Sequence, residues 1–301
     1  MQQGFPDEPD GLGGMMGTLE QKKRIYLIQK TLVYFFIYIV FAFVVLVSIG
    51  PLLWVAVSSF KTNGEILTNP FSLPKGLNFR PYIEVIRGNN FLRYALNSLI
   101  ISTVATTGSL IMYAMGAYVF ARYNFPLKNI LFTIFVLTML VPGHTKTQPI
   151  FFLIMKLGLY GTRSGITLVY LSGGIAMSLF VMRSAFAAIP KEMTEAAIID
   201  GAGFFRNFVQ MHVPLAKNGL ATAGILMFLG NWNEYFYASL LSVSAATRTL
   251  PYALAFFTET YSYDYTKMFA ALTLIILPGI IVYAVSQEQV QVSISSGSVK
   301  G

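Results

Sequence analysis

Cysteine is absent from the 301 residues, which excludes disulfides, thiolate nucleophiles and cysteine-held metals together. Histidine is nearly absent. The two present, His144 and His212, are too far apart for the helical zinc site in which two imidazoles share one face. Charge is scarce as well: 11% of residues are Asp, Glu, Lys or Arg, against about 25% in an ordinary soluble domain. No Gly-Lys dipeptide occurs, so no phosphate-cradling P-loop is expected, and any ATP used would be bound by another chain. No convergent Ser/His/Asp arrangement is readable either. No catalytic and no metal-ligating residue is assigned, and the chain is not read as an enzyme.

What the sequence has in abundance is apolar length. Hydrophobic residues make up 55% of it, with a mean hydropathy of +0.61, and an integral membrane protein is the class that tolerates this balance. The first apolar run, from Leu32 past Leu53, is longer than the core of a cleaved leader, and no small-residue cleavage site follows it, so it reads as a retained anchor. A helix needs roughly 20 apolar residues to cross a bilayer. Six windows meet that length, at 32–59, 94–120, 128–149, 165–187, 217–242 and 268–286. The fold class expected is therefore an all-α, six-span bundle. Residues 1–30 read as a mobile tail, 31–287 as the membrane domain and 288–301 as a C-terminal tail.

An even number of spans puts both termini on one side. The basic cluster Lys22, Lys23, Arg24 and Lys30, with the tight turn from Arg122 to Lys128, favours a cytoplasmic side for them. The net charge of +8 is scattered along loops rather than gathered on one face, so bilayer flanks account for it and nucleic acid is not a partner.

Between the fourth and fifth windows lies a polar, glycine-punctuated stretch, 188–215, which faces the cytoplasm on that topology. Pro190 suits a helix start. Glu192 and Glu195 fall where the helix dipole favours acids, and Gly201 stands where a left-handed cap would end the helix. A short helix over 190–200 follows, with a second short piece carrying Phe204, Phe205, Phe208 and Val209 before Pro214. On the residues alone two readings stay open: a loop helix packed on its own bundle, or an amphipathic element that docks on lipid or a partner.

A second unusual stretch is GNWNEYFYASLL, at 230–241, inside an apolar window. Glu234 is a functional candidate because an acid at membrane depth is costly unless paired or wetted. Asn231, Trp232, Asn233, Tyr235 and Tyr237 offer the amides and aromatic faces that a sugar site uses; equally, they are groups that hold helices together. A smaller polar island, GHTKTQP at 143–149, contains His144, which reads as hydrogen-bonded at a helix end. Tyr261, Tyr263, Asp264 and Tyr265 fall in the last outer loop.

The stretch IPKEMTEAAIIDGAG, the run at 230–241 and the terminal GSVKG together resemble the permeases of ATP-binding-cassette importers, specifically the maltose-type second permease of the carbohydrate branch. Glu195, Ala196, Ala197, Gly201 and Pro214 fall on the positions of that family's EAA loop, and Met211 and Val213 keep its apolar character where Ile and Leu are usual. The resemblance implies a type I importer permease bundle in a bacterial inner membrane, whose loop is a coupling helix for an ATP-hydrolysing partner. Glu195, Ala196, Ala197, Asp200, Gly201, Phe204 and Pro214 would make that contact. It also implies a second homologous permease, two ATP-binding subunits that hold ATP and Mg, surrounding membrane lipid, and an external sugar-binding protein that meets the last outer loop. The C-terminal tail departs from the family's basic-aromatic run before GSVKG. An ion- or proton-coupled secondary transporter is the alternative, and it predicts inverted repeats and paired intramembrane acids.

Overall fold

The computed structural model describes residues 11–88, 90–260 and 263–298, and every regular element among them is helical. The chain divides into two units, 1–57 and 58–301.

The first unit is the body of helix α1, Gly11–Ser58. Its segment Tyr26–Ser58 has a mean hydropathy of 2.9 and exposes Leu, Val, Ile, Phe and Tyr on all sides, as a lipid-facing helix does. At 1.5 Å per residue it is about 50 Å long, more than the ~30 Å of a bilayer core. It runs on through Pro51 without interruption. Within the stretch expected as a mobile tail, α1 is already helical from Gly11, and the Leu, Glu, Gln, Lys and Arg from Leu19 to Lys30 are good helix formers continuous with the apolar run. Residues 1–10 of that expectation lie outside the described residues.

In the second unit, the long polar loop contains two short helices, α2 (Asn63–Thr68) and α3 (Arg80–Arg87). A capping box starts α2: Glu65 N–H donates to Thr62 Oγ1 and Thr62 N–H to the Glu65 carboxylate. On α3, Glu84 takes Arg80 at 2.7 Å and Lys267 at 3.0 Å. The Lys267 ammonium, then the Arg80 guanidinium, hold the Glu84 carboxyl below the usual carboxylate range.

Helix α4 (Phe91–Arg122) is the axis of this unit. Its buried face carries the small polar residues Asn97, Ser98, Ser102, Thr106 and Ser109 among aromatic and aliphatic side chains, and several of these polar residues bond across to another element. Asn97 Nδ2 donates to the Ala246 and Arg248 carbonyls at 3.0 and 2.8 Å, and Ser98 Oγ accepts Leu250 N–H at 2.7 Å. Small residues set the helix spacing. A β-carbon on Gly108 would lie 2.8 Å from Leu171 Cδ1, and one on Gly219 would collide with Ala185 Cβ.

Around α4 the chain is folded into bent pairs. Helix α5 (Lys128–Leu137), with its 3-10 extension, meets α6 (Thr147–Lys156) and the 3-10 turn before it at 104°, across Val141-Pro142. Helices α7 (Arg163–Ser172) and α8 (Ile175–Ala187) meet at 52°, across Gly173-Gly174, where Gly174 has φ +67°. The loop helices α9 (Lys191–Ile199), α10 (Phe204–Arg206) and α11 (Val213–Leu215) lead to α12 (Lys217–Trp232), which stands at 81° to the segment before it. After a break at 233–235 come α13 (Phe236–Leu241), α14 (Leu250–Thr260) and α15 (Tyr265–Ser298). Among the described residues three helices are each long and apolar enough to cross a membrane, and counting each bent pair as one span gives up to six.

Two boundaries differ from expectation. The window 217–242 is not one helix, because the chain unwinds after Trp232. The C-terminal tail 288–301 is helical to Ser298 as a continuation of α15, with no proline after Pro278 to stop it. Residues 299–301 lie outside the described residues.

Candidate functional site

The loop 188–215 is built as its punctuation suggests. Pro190 is the N-terminal cap of α9, with extended backbone. At the other end Gly201 has φ +77°, Gly201 N–H bonds Ile198 C=O at 3.0 Å and Ala202 N–H bonds Ala197 C=O at 2.9 Å. These two bonds make a Schellman cap, which needs a left-handed residue where glycine stands. On α9 only Thr194 and Ala197 are withdrawn from solvent. Glu195, Ala196 and Asp200 are exposed, and neither acid forms an ion pair among the described residues.

The aromatic piece divides between core and surface. Phe208 is buried and Phe204 half-covered, both against Tyr118 near the end of α4 with ring centroids 5.2 and 5.4 Å apart. Phe205, Val209, Ile198 and Ile199 stay exposed, Ile199 at 85%. Pro214, also exposed, occupies the first turn of α11. The result is a short helix bracketed by Pro190 and Gly201, joined by Thr194 to the 207–212 segment that packs on the α4 end, and presenting exposed apolar side chains and Glu195 to its surroundings.

The second cluster surrounds a cavity of about 370 Å³ where the three breaks converge. Its wall takes Thr138, Gly143 and Lys146 from the α5–α6 break, Ser172, Gly173 and Gly174 from the α7–α8 break, and Asn231, Glu234 and Tyr237 from the break after α12. Glu234 is held by three donors: Tyr170 Oη to Oε2 at 2.8 Å, Tyr237 N–H to Oε1 at 2.8 Å and Ala238 N–H to Oε2 at 3.0 Å. It therefore caps α13 and ties it to α7. Asn231 Nδ2 donates to Thr106 Oγ1 at 3.0 Å, and Tyr237 Oη donates to Gly143 C=O at 3.1 Å.

The other three residues expected on the substrate pathway do not line this cavity. Trp232 is core, stacked on Phe228 with centroids 5.9 Å apart. Asn233 donates to Leu229 C=O at 2.9 Å and borders a separate cavity with Ile275 and Tyr283. Tyr235 is largely exposed beside the Tyr252 ring. Consecutive residues at a helix end point about 100° apart, so six neighbours cannot share one wall. Sequence reasoning missed Lys146 and Tyr170. Lys146 was visible as a cation inside an apolar window, whereas Tyr170 is one more aromatic in a greasy run. His144 sits in the 3-10 turn before α6, with its ring against Phe236. Of the outer-loop tyrosines, Tyr261 lies outside the described residues, and Tyr263 C=O accepts Asn63 Nδ2 at 2.9 Å.

Residues 112–295 match the family described as binding-protein-dependent transport system inner membrane component. The chain belongs to that family. Within it, the chain is 35% identical over 254 residues to the diacetylchitobiose uptake system permease protein NgcG of Streptomyces coelicolor, covering 84% of each. It is 32% identical to the probable starch degradation products transport system permease protein AmyC of Thermoanaerobacterium thermosulfurigenes, covering 85% of this chain and 93% of that one. To the trehalose transport system permease protein SugB of Mycobacterium tuberculosis it is 31% identical, over 83% of this chain and 92% of that one. A chain of a bacterial ABC transporter that imports the acidic polysaccharide alginate superposes with a TM-score of 0.75 over 94% of this chain and 99% of its own, at 23% identity, and so shares the fold. The protein is thus an importer permease, and in this family hydrolysis of ATP is the work of a separate subunit.

Proposed function

We propose that the protein is one of two permease subunits of an ATP-driven importer for a sugar or oligosaccharide, and that α9 is its coupling helix. The observation that carries this reading is the construction of the loop. An exposed helix with a Schellman stop leads through a short segment into α12 at 81°, and α12 ends at the cavity holding Asn231 and Glu234. A displacement of the loop by closing ATPase subunits would turn α12 and reshape that cavity. Glu195, Ala196, Ala197, Asp200, Gly201, Phe204 and Pro214 form the docking side and its supports. Asn231, Glu234 and Tyr237 belong to the pathway, joined by Lys146. ATP and Mg are bound by two partner ATPase subunits, a second homologous permease completes the pathway, and an external binding protein delivers the sugar. The chain sits in the bacterial inner membrane with both termini in the cytoplasm.

The secondary-transporter alternative would use an intramembrane acid for coupling. Glu234, the acid at the break after α12, is already committed to three donors, which weighs against a proton- or ion-exchanging role.

Co-expression with the neighbouring genes tests the proposal. The wild-type chain should co-purify with a second permease and an ATPase. Glu195→Lys, which reverses charge on the exposed docking side, should shed the ATPase or abolish its stimulation by sugar. Purification alone, with solute movement independent of ATP, would refute it.

A further inference from the structure

We infer that His212 and Thr194 form a buried strut that transmits motion of α9 to α4 as well as to α12, an assignment that rests on the coupling-helix reading above. His212 is fully buried, and both of its ring nitrogens are engaged. Nδ1 lies 3.2 Å from the Asn207 carbonyl. A carbonyl only accepts, so Nδ1 carries the hydrogen, and in the neutral imidazole Nε2 is the acceptor. Thr194 Oγ1, 3.2 Å from Nε2, then donates to it. Thr194 is one of the two residues of α9 turned away from solvent, and its hydroxyl joins α9 to the buried imidazole of the segment that follows it.

The backbone around His212 is wound to make this possible. Asn207–His212 is π-helical, and the wider i to i+5 spacing brings residues five apart onto one face. Asn207, Phe208 and His212 are all buried as a consequence, and the imidazole reaches the Asn207 carbonyl of its own segment. Beyond its hydrogen bonds the ring lies against Tyr118 of α4, with centroids 4.7 Å apart, and Phe186 of α8, at 6.4 Å. The α4 end grips the same loop a second time, where the Arg122 guanidinium donates to the Ile189 carbonyl just ahead of α9. His212 stands five positions before Lys217, where α12 begins after the 81° bend. A push on α9 therefore reaches α12 along the chain and α4 through the imidazole. Two packed elements move where chain connectivity alone would move one.

The test uses the whole importer, with its partner subunits, in proteoliposomes, and reads labelled sugar taken up per ATP hydrolysed. Thr194→Val keeps size and removes the donor. It should leave the ATPase subunits bound but lower sugar per ATP by roughly fivefold, the factor set by one net hydrogen bond. Thr194→Ser restores the hydroxyl and should restore the ratio. Thr194→Val on top of His212→Gln should add little to His212→Gln alone, since both cut one link. A wild-type ratio in Thr194→Val, or additive losses in the double variant, would overturn the strut. Glu195→Lys in the same assay separates the two ideas. If it disturbs coupling while Thr194→Val does not, the strut alone fails; if it changes neither ATPase binding nor the ratio, the coupling-helix reading fails and takes the strut with it.

Discussion

Glu234 occupies most of its hydrogen-bonding capacity within the protein: three of the roughly four acceptor positions of a carboxylate are taken by Tyr170, Tyr237 and Ala238. Its three bonds therefore fix the break after α12 and tie α13 to α7. Glu234→Gln keeps one acceptor oxygen, which placed at the Oε2 position still takes Tyr170 Oη and Ala238 N–H and gives up only the bond from Tyr237 N–H, so sugar uptake should fall by a smaller factor than in the alanine variant. Glu234→Ala uncaps α13 and orphans Tyr170 Oη, a loss on the order of 1–3 kcal/mol, and uptake should fall about tenfold or more. Equal uptake by both variants in whole cells would contradict the capping role. Glu234 was legible because an acid in an apolar window stands out. Its donor Tyr170 lies 64 residues away in the chain, and nothing in the local pattern pairs them. Trp232, Asn233 and Tyr235 were grouped with it by adjacency in sequence, which a helix end scatters in space.

At the scale of elements, the brackets of α9 were readable because proline and glycine act through backbone geometry that needs no tertiary context. Pro190 and Gly201 enclose Lys191–Ile199 as expected. Gly201→Ala forces a β-carbon into φ +77°, a strain of about 1–2 kcal/mol. Amide exchange at Gly201 and Ala202 should accelerate by roughly five- to thirtyfold. Unchanged exchange would show that the cap does not hold the helix end. The π-helical turn was not readable, since it arises from what Asn207 and His212 must reach rather than from any residue preference. The bends at Val141-Pro142 and Gly173-Gly174 lie on residues that interrupt helices, yet their angles depend on what packs behind them. The terminal helices ran longer than expected because apolar counting locates the bilayer core and says nothing of where a helix beyond it stops.

At the scale of the molecule, the scarcity of charge and the repeated apolar windows placed the chain in a membrane before any contact was known, and three long helices with three bent pairs agree with that class. Length alone could not separate a straight span from a bent one. That the α5–α6 break, the α7–α8 break and the break after α12 meet at a single cavity, while the loop 188–215 enters the same unit by α12, is a tertiary fact, and it links the part of the protein that would meet an ATPase to the part that would meet sugar. The most direct measurement is uptake of labelled oligosaccharide by proteoliposomes that contain this chain, its partner permease and the ATPase, with ATP enclosed and the binding protein outside. Uptake that requires both ATP and the binding protein, and that collapses with Glu195→Lys, is the predicted result. Uptake that proceeds without ATP, driven by an ion gradient, would contradict the account.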